Sequence, residues 1–113
     1  MRTDYTRGWI GVDLDATLAE YNGWKGIAHI GEPVPQMLER VKAWLSQGAE
    51  VKIFTARAAT PEAIPHIAAW LEKQGIGGLA ITNIKDMKMV ELWDDRAVTV
   101  EPNTGRIVGR NTV

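Results

Sequence analysis

The sequence predicts an α/β fold of three layers around a mostly parallel central sheet, and three features predict it. Short apolar runs bounded by glycine, such as Gly8-Trp9-Ile10-Gly11-Val12, have the length and β-branched content of buried strands. Segments with three- and four-residue apolar spacing lie between such runs, and strand–helix–strand alternation builds parallel sheets through right-handed crossovers. Polar residues gather just after the strands, at the edge where open parallel sheets bind ligands, as in Rossmann-like folds. A chain of 113 residues, 45% hydrophobic and 24% charged, fits one domain spanning 1–113.

Residues 1–7 form a polar lead-in. The first strand, at roughly 9–14, ends on Asp13 and Asp15, which point the same way if the backbone stays extended. Ala16 and Thr17 begin a turn. From Leu18 to Glu32 no helical period runs, glycines stand at 23, 26 and 31, and Asn22-Gly23 is a hairpin-type dipeptide. A small β-flap or ordered loop is expected there. Pro33-Val34-Pro35 opens a helix with Val34, Met37, Leu38, Val41, Trp44 and Leu45 on one face, and Gly48 stands where its C-terminal cap belongs.

Val51–Thr55 is the second strand, continuing into Ala56-Arg57. A second helix over roughly 61–74 places Ile64, Ile67, Ala68 and Leu71 on one face, with Pro61 and Pro65 early enough that a missing N–H costs little. Leu79–Thr82 is a third strand, followed by Asn83-Ile84-Lys85-Asp86. A brief turn at 86–89 leads into a fourth strand, Val90–Trp93, which ends in Asp94-Asp95-Arg96. Ala97–Val100 is strand-like, and Arg106–Val108 pairs back after the turn Pro102-Asn103-Thr104-Gly105.

Composition narrows the function classes. A net charge of −1 gives no reason to expect a nucleic-acid or polyanion surface. Without cysteine there are no disulfides, thiolate ligands or Cys nucleophile. The first residues lack the apolar core of a signal peptide and no segment reaches membrane-spanning length, so a soluble, cytoplasmic protein with no membrane partner is expected.

Four strand ends carry Asp13 and Asp15, Thr55, Lys85, and Asp94 and Asp95. Carboxylates this close repel unless a cation or a shared proton intervenes, which makes a metal the first thing to look for. Acids, a hydroxyl and an ammonium on one edge suit phosphoryl transfer with Mg²⁺ held by hard oxygen ligands. The hydroxyl and ammonium would balance charge on the transferring oxygens.

This order, a D-x-D-x-T after the first strand, a Thr after the second, a Lys, then an acidic pair, resembles the haloacid dehalogenase superfamily from about Trp9 to Arg96. The likeness is to its small, cap-less phosphohydrolases. It implies that Asp13 is the nucleophile and becomes an aspartyl-phosphate, and that Asp15 protonates the leaving group and then activates water. Thr55 would hydrogen-bond the phosphoryl oxygens and Lys85 would neutralise them. Mg²⁺ would be held by Asp13, the Asp15 main-chain carbonyl, Asp95 directly and Asp94 through water. The substrate would be a small-molecule phosphate ester such as a nucleotide or sugar phosphate. Two positions depart from the usual pattern. Ala16 replaces a glycine, so its Cβ is tolerable only if φ is negative, and Lys85 stands close before Asp94, with Lys88 as a competitor.

Each residue also has a plainer reading. An Asp pair after a strand is commonly an Asx turn, Thr55 an N-cap, and Lys85 or Lys88 a solvated charge. Arg57 would contact substrate or form a surface ion pair with a site carboxylate, and Arg96 would orient one of the acidic pair. His29 and His66 lack a second ligand at metal spacing. Tyr21 and Trp24 sit in the flap, where packing is the expected role and stacking on a flat leaving group the alternative. Asp15 argues against a true dehalogenase, and the order of the acidic groups against a phospho-acceptor receiver domain. The remaining alternative is a non-catalytic metal-binding or interaction protein on the same scaffold. With no lid domain the site should be open, either admitting a bulky substrate or closed by a second copy in a homo-oligomer.

Overall fold

The computed structural model describes residues 4–109. Its sheet has four strands, β1 (Trp9–Val12), β2 (Glu50–Phe54), β3 (Ala80–Thr82) and β4 (Met89–Trp93), in the order β3-β2-β1-β4. All pairs are parallel: Ile10 lies opposite Val51 and Val12 opposite Ile53, while Val12 faces Trp93 on the other side. The expected α/β Rossmann-like sheet is therefore present. Its two helices are α1 (Pro35–Ser46) and α2 (Ile64–Lys73), with a 3₁₀ turn at Ala56–Ala59 after β2.

Side chains alternate along a strand, so Ile10, Val12, Val51 and Ile53 share one face. They form a single core with Met37, Val41 and Trp44 of α1 and Ile67 and Leu71 of α2, so both helices cover that face. Ala68 is exposed, which corrects its expected place on the buried stripe of α2; Ile67 and Leu71 do the packing. On the opposite face Trp9 is only 2% exposed although no helix lies there among the described residues. Lys52 Nζ sits 4.6 Å from the Trp9 ring, and Asp86 accepts the indole N–H at 2.9 Å. Asp86 belongs to the segment that runs from β3 back across the sheet to β4. On this side the third layer is loop and side chain rather than helix.

The expected flap is an ordered loop. It is closed at its neck by single bridges rather than by strands: Ala19 pairs antiparallel with Pro33, Glu20 N–H donates to Glu32 O at 2.8 Å, and Val34 N–H donates to Leu18 O at 2.7 Å. Gly31 permits this approach, because a Cβ there would overlap the Glu20 carbonyl. The C-terminal pairing reduces to one antiparallel bridge, Val100 with Ile107. Among the described residues no helix is long and apolar enough to cross a membrane.

Because Trp9 is packed without a helix over it, its truncation tests whether that face is truly close-packed. Trp9→Ala should cost about 3–5 kcal/mol, as for a core aromatic on the helical face. Urea unfolding measures this; a loss under about 1 kcal/mol would mean the face is only loosely covered.

A candidate metal centre and cleft at the carboxyl edge of the sheet

Parallel pairing puts every strand's C-terminal end on one edge, and the strand order decides which ends are neighbours. β1 is central, so Asp13 and Asp15 lie between the group after β2 and the pair after β4. Asp13 N–H donates to Trp93 O at 2.9 Å, extending the β1–β4 ladder by one bond and fixing Asp13 beside the start of the 94–95 turn. One carboxylate oxygen each from Asp13, Asp94 and Asp95 lies within 4.8 Å of the others. Asp94 Oδ1 also accepts the Arg96 N–H at 2.7 Å, so the Asx turn and the acidic cluster are the same structure.

Thr17, the last residue of the D-x-D-x-T string, ties the cluster together. Its hydroxyl accepts the Asp95 N–H at 3.0 Å and lies 3.0 Å from Asp95 Oδ1 and 3.4 Å from Asp13 Oδ2. The sequence contained this residue within the motif, but nothing in its local pattern assigned it a partner 78 positions away.

Burial, a hydrogen bond with Asp95 and the charges of Asp94 and Asp95 push the Asp13 carboxyl up to about 7. Asp95 moves the other way. Burial works against it, but hydrogen bonds from Asp13 and Thr17 outweigh that and hold it below the usual range. Without a cation, then, the cluster relieves its repulsion by keeping one proton on Asp13. A divalent cation would do the same with three hard oxygen donors, a chemically suitable set.

Asp15 faces a different partner. Arg57 Nε and a terminal nitrogen bind its two carboxylate oxygens at 2.8 and 2.9 Å in a bidentate pair. The pair is not at the surface: the side chains are 6% and 23% exposed. Thr55 is buried and its Oγ1 accepts the Arg57 N–H at 3.1 Å, capping the 3₁₀ turn that presents Arg57. Its hydroxyl proton remains to donate toward the cleft it lines.

Asp13, Asp15, Thr55, Arg57, Asp94, Asp95 and Arg96 line one cleft of about 730 Å³, together with Tyr21 and Trp24 of the flap loop and Asn83 after β3. Lys85 is exposed and does not line it. Its strand, β3, is separated from β1 by β2, and Asn83 is the residue that reaches the cleft from that side. Lys88 stands at the opposite edge, beside Trp9 and Glu50 at the strand starts, where its carbonyl accepts the Trp9 N–H at 2.8 Å. His29 and His66 are exposed.

Ala16 has φ +69°, correcting the expectation that its Cβ requires a negative value. The turn over-determines it: Leu14 O accepts the Leu18 and Ala19 N–H groups at 3.0 and 2.8 Å, and Ala16 N–H donates to Ala19 O at 2.8 Å. The strained residue therefore sits between Asp15 and Thr17, in a position to keep both aimed.

Neither a protein-family model nor a curated protein matches the chain. Among solved structures, a conserved protein from Bacteroides thetaiotaomicron is similar, with a TM-score of 0.63, 22% identity, and coverage of 79% of this chain and 76% of that one. At that identity the likeness speaks to the fold.

Two outcomes follow from the site. Ala16→Gly removes the left-handed strain at the cost of greater unfolded-state freedom, and should stabilise the chain by up to about 1 kcal/mol, read as a rise in melting temperature. The raised Asp13 stabilises the cation-free fold fully below the ordinary carboxylate range, and this contribution is lost as pH climbs to about 7. Cation-free melting temperatures should therefore fall across that window. Asp13→Asn cannot titrate, so it should show a flatter curve and melt higher than the wild type above that window; parallel curves would contradict the cluster's electrostatics.

Proposed function

We propose that the chain is a Mg²⁺-dependent phosphohydrolase of the haloacid dehalogenase type, acting on a phosphate monoester through an aspartyl-phosphate at Asp13. The observation that carries this reading is that Asp13 and the distant Asp94–Asp95 pair bring carboxylate oxygens within 4.8 Å of one another beside Asp15. The cleft's charges also fit. Four carboxylates face two guanidiniums, and a divalent cation offsets the excess. Asp13, Asp94 and Asp95 would hold the ion, with the Asp15 main-chain carbonyl completing the protein's share. When bound, the ion would shield the phosphate from the carboxylates and let an anion approach an anion.

The chain's own residues would divide the chemistry as follows. An Asp13 oxygen attacks phosphorus, the bond from phosphorus to the leaving oxygen breaks, and that oxygen takes a proton from Asp15. In the second half a water oxygen attacks phosphorus, its proton passes to Asp15, and the Asp13–phosphorus bond breaks. Thr55 donates its hydroxyl to a phosphoryl oxygen. Arg57 holds both Asp15 oxygens, so one of those bonds opens each time Asp15 handles a proton at that oxygen. Lys85, exposed and outside the cleft, would have to swing in to reach the phosphate; Arg96 already lines it.

That clamp on Asp15 and the distance of Lys85 favour one second reading, a non-catalytic metal-binding protein on the same scaffold. The two readings separate in one experiment. With Mg²⁺ and p-nitrophenyl phosphate the wild type should release phosphate, and Asp13→Asn should lose about a thousandfold or more of the rate. Asp15→Asn should accumulate a phosphorylated chain by mass spectrometry, because this leaving group departs without an acid while the water still needs a base. A Mg²⁺-induced rise in melting temperature with no turnover would favour the non-catalytic reading.

A further inference from the structure

Trp24 is the residue of the cleft that neither the metal cluster nor the acid–base pair accounts for. It is 57% exposed, so it is not packed into the flap loop, and Tyr21 beside it in the cleft is 38% exposed. That exposure leaves ring surface at the mouth of the cleft open to a flat ligand. Trp24 is nevertheless held in place, because its ring lies 4.8 Å from the centre of the Arg57 guanidinium. The same guanidinium binds Asp15 at two points and reaches the Ile27 carbonyl at 3.4 Å.

Arg57 thus joins the indole to the carboxylate that meets the leaving oxygen. A substrate with its phosphorus at Asp13 and its leaving oxygen at Asp15 extends its remaining body past Arg57 and onto Trp24 and Tyr21. Resting on the phosphohydrolase reading above, we propose that the leaving group carries a flat aromatic ring that stacks on Trp24, so that the substrate class is nucleoside monophosphates rather than sugar phosphates. The cleft's volume of about 730 Å³ is ample for a mononucleotide. Arg57 is engaged by Asp15, so the cleft-lining cation left for substrate is Arg96. A second or third phosphate would bring further negative charge with no other unpaired cleft-lining cation among the described residues to meet it, which favours monophosphates over di- and triphosphates. Asn83, from the β3 side, offers both a donor and an acceptor for the edge of a ring.

Adenosine 5′-monophosphate and ribose 5-phosphate share a phosphate and a sugar and differ by the base. With Mg²⁺, kcat/KM for the nucleotide should exceed that for the sugar phosphate by about tenfold or more, as base–aromatic stacking gives. Trp24→Ala should collapse this ratio toward one, and Trp24→Phe should restore much of it. A wild-type ratio near one, or a ratio that Trp24→Ala leaves intact, would overturn the proposal. If p-nitrophenyl phosphate is hydrolysed and neither ester is, the substrate proposal falls and the phosphohydrolase reading stands. If none of the three is hydrolysed, the phosphohydrolase reading falls, and equilibrium dialysis of adenosine 5′-monophosphate with the Mg²⁺-loaded protein decides the stacking site. Binding that weakens in Trp24→Ala then sustains it; no binding, or binding that Trp24→Ala leaves unchanged, ends it.

Discussion

Three carboxylates drawn within 4.8 Å of each other repel, and much of the molecule's carboxyl edge is arranged around that repulsion. The β1–β4 pairing forces the encounter, since the backbone of Asp13 continues the ladder to Trp93. Thr17 and the Asx turn at Asp94 then spend hydrogen bonds on holding the acids where they are. Here the Arg57 guanidinium goes to Asp15, while Arg96 also lines the cleft and acts on Asp95.

Arg57 links the two halves of the cleft. It is buried on a 3₁₀ turn capped by Thr55, and it touches Asp15, the Ile27 carbonyl and the Trp24 ring. The flap loop and Asp15 are therefore joined through one side chain.

Much of this was legible in the sequence, and the misses have physical causes. Apolar spacing located α1 and the strands, because burial imposes a period that local text carries. The polar groups at the strand ends were visible for the same reason: a parallel sheet sends all its strand ends to one edge. What local text does not carry is lateral order. The sequence β3-β2-β1-β4 puts β3 at a margin, which is why Lys85 lies outside the cleft while Asn83 reaches it. Thr17's partners and the burial of the Arg57–Asp15 pair depend on the same long-range placement. The positive φ of Ala16 escaped for another reason, since three hydrogen bonds around Leu14 and Ala19 override the residue's own preference.

The neck of the flap loop has an engineering corollary. Leu18, Ala19 and Glu20 on one side and Glu32, Pro33 and Val34 on the other are laced by backbone bonds alone, with Gly31 leaving room for the approach. Beyond the seam, Ile27 and Ile30 pack on the core and Trp70 donates its indole N–H to Gly31 O at 3.0 Å, while loop closure grows only slowly more costly with length. Exchanges confined to the exposed tip, residues 21–25, would leave Gly31 and the core-packed Ile27 and Ile30 in place, so the mouth of the cleft can be reshaped there while β1 and α1 keep their packing.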